Sequence, residues 1–267
     1  MFEKNAFINY DKKFIVWEDL ENELLLVMAY LRLNASYDGY VGFTLKHLIK
    51  DIGYHLNRHQ GAINDTVRNI LSDLQICGSI EPEINIANAT INDFIRLQIY
   101  ADEDSMFYLG DKSKYIQLNR DEYNKITKFK TKIDKATLLR VYLNIKKYIN
   151  TSVKVSKEDR VAYPSMLSIS RDCNITVGST LDNAIKDLVN IGILFEHITG
   201  SYVDKKGNVR NANNVYALTE KSIKNAREIM LSYYKVESFG RVSKPNSRSK
   251  KTKEPKIKNE LDQLKEN

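Results

Sequence analysis

Thr66 to Ile80 reads TVRNILSDLQICGSI, and Thr180 to Leu194 reads TLDNAIKDLVNIGIL, with Thr, Asn, Asp, Leu and Gly shared at matched positions 114 residues apart. In each copy the apolar residues keep the i, i+3, i+4, i+7 spacing of one helical face: Val67, Ile70, Leu71 and Leu74, then Leu181, Ala184, Ile185 and Leu188. Gly78 and Gly192 stand where a helix needs a residue in the left-handed conformation to end it. The pattern is a repeated helix with the same stop.

A helix of this length, closed by glycine and followed at once by short β-prone runs, has the form of the third helix of a winged helix-turn-helix. Two copies predict an α+β, helix-rich chain of two tandem winged helix-turn-helix domains, residues 1–105 and 106–236, and a disordered basic tail, 237–267. The 267 residues suffice for two such domains, each burying its own core. The longest apolar run, Leu24 to Leu31, falls well short of the ~20 residues of a membrane span. The opening MFEKNAFINYDKK carries no secretory pattern. A cytoplasmic protein with no membrane partner is expected. Cys77 and Cys173 sit near the ends of predicted helices in different repeats, and read as small apolar residues rather than a disulfide or metal pair.

Charge separates the halves. Residues 1–105 hold 9 basic and 16 acidic side chains, 106–236 hold 23 and 13, and 237–267 hold 9 and 5, balances of −7, +10 and +4 within a net +7. A basic second half suits a polyanion, because phosphates neutralised by Lys and Arg release counterions. The acidic first half is the poorer candidate for the main contact.

The first repeat opens with KFIVW at Lys13 to Trp17, a short strand pattern, and a helix from about Glu18 to Leu33 whose LLLVMAYL centre is apolar nearly all round and must be buried. Thr44 is placed to cap a second helix carrying Leu45, Leu48, Ile49 and Ile52, ended by Gly53. Ile80 to Ile86 and Phe94 to Tyr100 alternate as two strands around a loop at Asn88. In the second repeat KYIQL at Lys114 to Leu118 echoes KFIVW, Asn119 caps a short extra helix, and the main helix spans about Asp134 to Ile149. Ser165 caps the next helix, and Asn174 stands where Gly53 stands, both residue types tolerating positive φ. ILFEHIT and NVYAL then read as strands flanking GSYVDKKGNVRNANN, whose composition predicts a long hairpin tip without a regular element. Thr219 caps a last helix to about Tyr234, with Ile223, Ala226, Ile229, Met230 and Tyr233 on one face. From Arg241 the run RVSKPNSRSKKTKEPKIK has eight basic residues, one acidic and two prolines, too little apolar surface to fold.

A winged helix-turn-helix lays its third helix in the major groove and sends its wing to the flanking backbone. The outward positions of the second repeated helix are Ser179, Asp182, Asn183, Lys186, Asp187 and Asn190. Asn183 and Lys186 are types that read adenine and guanine edges, Asn190 continues the face, and Ser179 and Thr180 suit a phosphate at the helix start. Asp182 and Asp187 favour the alternative, an ordinary solvated face. Lys205, Lys206 and Arg210 are the cations of the wing, against the alternative of lysines that merely protect a sheet edge. Arg171, with Lys154, Lys157 and Arg160, is placed for phosphate contact. Lys46, Lys50, Arg58 and Arg68 form the basic part of the acidic half and a secondary DNA contact, unless that domain pairs with itself or another protein. In the tail Arg241, Lys244, Arg248, Lys250, Lys251 and Lys253 make either a polyanion arm or a partner-binding segment.

His55 and His59 have the i, i+4 spacing of a metal pair, but no nearby Cys or carboxylate completes a site, so no metal or other cofactor is expected. There is no Gly-rich phosphate loop, no serine elbow and no His-x-His pair, and Asp102, Glu103 and Asp104 lack a basic partner. A non-enzymatic protein follows. From Lys13 to about Leu218 the chain resembles the tandem winged-helix replication initiators of theta-replicating plasmids and related phage replication proteins, on the two repeated helices, the strand before each unit and NVYALT closing the second wing. The resemblance implies a first domain for self-association, a second that recognises repeated origin sites in double-stranded DNA, and recruitment of a host replication protein. The long stretch from Tyr54 to Asp65 departs from a compact motif. A transcriptional regulator with the same DNA chemistry, and a helicase-loading adaptor that reads no bases, are the alternatives.

Overall fold

The computed structural model describes residues 7–11, 21–56, 63–102, 105–108, 115–150 and 160–240. They form an α+β fold of helices with small antiparallel sheets. Among them no helix is long and apolar enough to cross a membrane.

In the first half, α1 (Leu24–Asn34) is buried at every position from Leu24 to Leu31 and again at Leu33, as its apolar centre requires. Its predicted start at Glu18 falls in residues 12–20, outside the described residues. After β2 (Tyr40–Thr44), α2 (Leu45–Asp51) is capped by Thr44, whose hydroxyl accepts from the His47 N–H at 3.2 Å. The repeated helix α3 (Ile63–Ile76) begins three residues before Thr66 and buries Val67, Ile70, Leu71 and Leu74. Gly78 ends it at φ +70°, and the Ser79 N–H returns to the Leu74 carbonyl at 2.8 Å. β3 (Ile80–Pro82) and β4 (Phe94–Ile99) complete a sheet in the order β2-β4-β3. The strand expected to reach Ile86 stops at Pro82, whose nitrogen has no hydrogen to donate, and Ile86–Asn88 is a 3₁₀ turn capped by Asn85.

The second half repeats this order. α5 (Lys135–Asn150), β6 (Val161–Ala162), α6 (Met166–Asp172) and the repeated helix α7 (Ser179–Ile191) lead to β7 (Phe195–His197) and β10 (Val215–Ala217), in a sheet ordered β6-β10-β7. Ser165 caps α6 by accepting from Ser168 N–H, and the six residues from Cys173 to Gly178 make the turn into α7. Asn174 at φ +50° and Gly53 at φ +92° occupy the matching left-handed positions.

The halves do not keep separate cores. One cluster of buried apolar side chains runs from Ile8 to Tyr216, and α1 packs on α5. A helix apolar on all sides cannot be covered by its own half alone, which explains the shared core. β1 (Phe7–Asp11) pairs antiparallel with β5 (Tyr115–Asn119), residue 7 facing 119 and 11 facing 115. The strand expected at Lys13–Trp17 lies outside the described residues, whereas β5 is the predicted KYIQL run. Across the seam Arg120 donates to Asn34 at 3.2 Å and the Tyr54 hydroxyl to Asp134 at 2.6 Å, while within the first half the Tyr10 hydroxyl ties β1 to α1 by donating to the Leu25 carbonyl at 2.5 Å. The extra helix α4 (Arg120–Lys128) opens with a capping box between Asn119 and Glu122. Glu122 also binds Lys146 and the Tyr142 hydroxyl, each at 2.6 Å, fastening α4 to α5.

A smaller cluster of Val215, Ala226 and Met230 packs the C-terminal helices. Thr219 caps α8 (Glu220–Ile223) as expected, but the helix breaks at Lys224 and Asn225 before α9 (Ala226–Tyr234). Tyr233, expected in the core, is 54 % exposed with its ring on Tyr163, and the half-buried Tyr234 takes the inner place. Cys173 is buried, and burial pushes its thiol up to about 12; Cys77 is partly exposed, and neither is in a disulfide.

Candidate nucleic-acid interface

Helix α7 places Ser179, Asn183, Lys186 and Asn190 one above another, at i, i+4, i+7 and i+11, opposite the buried Leu181, Ala184, Ile185 and Leu188. All four are exposed, as is Thr180. Among the described residues no side chain caps the start of this helix, so its first N–H groups point outward with the positive end of the dipole. The predicted reading face is therefore continuous.

The two acids weighed against that face behave differently. Asp182 stays exposed. Asp187 is half-buried and accepts the Thr131 hydroxyl from the loop joining α4 to α5. That loop and α7 line a cleft of about 570 Å³ formed by Lys130, Thr131, Lys132, Ile133, Asn183, Lys186, Asp187 and Asn190. Lys130 and Lys132 were not singled out from the sequence, although the alternation KFKTKIDK at Lys128 to Lys135 carries the signal.

The segment expected to lack a regular element contains a ladder, β8 (Ser201–Val203) paired with β9 (Val209–Asn211). Lys205, Lys206 and Gly207 form its three-residue loop, with Gly207 at φ +82° closing a type I turn and bulge. Asp204 organises the tip by accepting from the Lys206 and Asn208 N–H groups and from Arg210 Nε, each at 2.9 Å. Arg210 in turn holds the Asp204 carboxyl at about 2. Arg210 is thus an organiser of the tip, and the exposed Lys205 and Lys206 carry its outward charge. At the root, the Tyr202 ring lies on Tyr234 at 4.5 Å, and Gly240 pairs with Ser201 through hydrogen bonds of 2.8 and 3.1 Å. Residues 237–240, assigned to the tail from sequence, belong to this packing. Arg241, Lys244, Arg248, Lys250, Lys251 and Lys253 lie outside the described residues.

His197, on β7 beneath the hairpin, has its pKa lowered from 6.5 by burial and by nearby Arg227. The unfolded chain takes up this proton first on acidification, so the contribution to stability is whole above the unfolded value and declines as pH falls through 6.5. Melting curves between pH 7.5 and 5.5 are expected to show a downward shift that His197→Asn reduces; an identical shift in the variant rules His197 out as its source.

Arg171, on α6, is exposed, with Nη2 3.5 Å from Asp172. Lys46 and Lys50 lie on α2, Lys50 the more exposed; Arg58, Lys154 and Lys157 are outside the described residues. Arg68 donates to the Ala87 carbonyl at 3.4 Å, in the β3–β4 connection. On α3 the positions matching the α7 stripe are Asp65, Asn69, Ser72 and Ile76, acidic at one end and apolar at the other, with Ile76 85 % exposed. The adjoining groove, about 670 Å³, is lined by Ser72, Gln75, Ile76, Pro82, Glu83, Ile84, Asn85 and Ala87. The two halves share an element order and differ in surface chemistry. The chain matches no protein-family model and no curated relative.

Proposed function

We propose that the two halves are tandem winged helices, and that the second binds double-stranded DNA by sequence with α7 in the major groove and the β8–β9 hairpin as wing. One observation carries this: the second half bears both the polar stripe Ser179–Asn183–Lys186–Asn190 and a lysine-tipped hairpin, while the matching stripe of the first half is acidic at one end and apolar at the other. The helix offers side chains that hydrogen-bond base edges, and the hairpin tip offers cations for phosphate. The first half serves self-association or a host replication protein, with Ile76 and Ile84 of its groove as apolar contacts. The protein marks the replication origin of a plasmid or phage in the cytoplasm and catalyses no reaction itself.

Footprinting of the full chain on DNA surrounding its own gene tests the reading. Protected direct repeats support the initiator, and a palindrome at a promoter would make the protein a regulator. Binding through six or more phosphates should weaken by orders of magnitude between ~50 and ~200 mM salt. No footprint and a flat salt response would refute DNA reading and leave the adaptor function, which the groove at Ile76 and Ile84 in the first half favours.

A further inference from the structure

The loop between α4 and α5 has no part in a helix-and-wing contact, yet it is held beside α7. We infer that Lys130 and Lys132 are a second phosphate grip, on the side of α7 away from the wing, and that Asp187 is the positioning residue that holds them there. This rests on the DNA reading of α7.

Three observations support it. First, the loop is pinned at both ends: the Thr131 hydroxyl donates to Asp187 on α7, and Asp134 accepts the Tyr54 hydroxyl of the first half at 2.6 Å. Thr131 also accepts the Ile133 N–H at 2.9 Å, which shapes the loop around the anchor. Second, the lysines divide by role. Lys135 is buried and donates to the carbonyls of Ile126, at 3.2 Å, and Phe129, closing the end of α4. Lys130 and Lys132 are exposed on the cleft that Lys186 shares. The only carboxylate among the residues lining that cleft is Asp187, already engaged by Thr131.

Third, the placement fits a duplex. Asp182 and Asp187 lie about 140° apart around the helix, with the outward stripe between them. Asp182 acts on Glu196 of β7 and on Tyr216 of β10, and Lys186 also on Glu196, so the sheet from which the hairpin springs lies toward the Asp182 flank. Thr131 binds Asp187, so the lysine loop lies on the other. A helix in a major groove about 12 Å wide has a sugar-phosphate strand on each side. The wing meets one strand and the lysine loop the other. Asp187 then has a structural use on a face where its charge alone would repel DNA.

The test uses the full chain with two probes, a 40-base-pair duplex carrying the footprinted segment and a random duplex of equal length. Lys130→Ala/Lys132→Ala should lower the slope of log affinity against log salt by about 1.8, so that raising salt from ~50 to ~200 mM weakens the variant about 10-fold less than wild type. The effect should be the same on both probes, and Lys130→Arg/Lys132→Arg should restore the slope. Thr131→Val, which removes the hydroxyl that Asp187 accepts and leaves the charge in place, should lower the slope in the same direction and add nothing further in the double-alanine background. Ethylation interference should show the alanine pair losing phosphates on one flank and Lys205→Ala/Lys206→Ala losing those on the other. An unchanged slope in a variant that still binds DNA overturns the grip and leaves the reading of α7 standing. Failure of the wild-type chain to bind either duplex overturns both.

Discussion

Replacing Lys186 and Asn183 together by alanine should weaken binding to the footprinted sequence by about 2 to 6 kcal/mol, roughly 30-fold to 10⁴-fold, at about 1 to 3 kcal/mol for each lost base contact. Both side chains are exposed on α7, so the melting temperature should stay within the range of neutral surface changes. The discriminating measurement is the ratio of specific to random-duplex affinity. A reader of bases loses that ratio; a residue that touches only backbone loses affinity for both duplexes alike. An unchanged ratio with unchanged affinity would remove α7 from the interface. The matching changes on α3, at Asn69 and Ser72, should leave DNA affinity within error, because that stripe carries Asp65 and Ile76 in place of Ser179 and Asn190.

A large loss of stability is expected from Asp172→Ala. Asp172, the last residue of α6, accepts from Lys147 Nζ and the Tyr148 hydroxyl at 2.8 Å and from Asn144 at 3.4 Å, all three on α5. Its side chain is 11 % exposed and that of Lys147 15 %, so truncation takes this acceptor from a part-buried ammonium, a part-buried hydroxyl and the buried Asn144 amide. Removing one partner of a buried pair costs about 3 to 5 kcal/mol, a large share of the 5 to 15 that stabilises a domain. Chemical denaturation should show the midpoint falling at nearly constant slope. The double change Asp172→Leu/Lys147→Met should recover much of the loss, since an apolar pair of similar volume removes both charges. A cost below about 1 kcal/mol for Asp172→Ala would mean that the site relaxes to water.

The same carboxylate gives a sign in pH. Burial alone would raise the Asp172 pKa, but the hydrogen bonds from Lys147, Tyr148 and Asn144 outweigh it and hold the group below its ordinary 3.8. The stability it confers is therefore present above 3.8 and is lost as pH falls through the lower folded value. Acid unfolding of Asp172→Ala should lack that component. The consequence for α7 is indirect: α6 leads through a six-residue turn into it, so loosening α6 from α5 loosens the placement of α7.

Much of the architecture is written in local pattern. The two repeated helices, the caps at Thr44, Asn119, Ser165 and Thr219, and the left-handed stops at Gly53, Gly78, Asn174 and Gly192 were legible because each depends on residues within about four positions of one another. The β8–β9 ladder at Ser201–Asn211 is local too, but Gly, Asp and Asn point to an irregular hairpin tip rather than to the turn between Tyr-Val and Val-Arg. The exposed stripe on α7 followed directly from the buried one.

Other features depend on side chains meeting across long stretches of chain. Asp187 is held by Thr131, 56 residues earlier, which changes it from an argument against DNA contact into the anchor of a lysine loop. Phe7 pairs with Asn119, and α1 shares its core with α5, so two repeats that look independent form one buried unit. By itself the sequence determined the repeated helices, their ends and the contrast in charge between the halves, since periodicity, capping and composition act over a few residues. Only the tertiary structure decided which charges are spent on holding the fold and which remain for a ligand, because that depends on pairings between distant residues that no local pattern encodes.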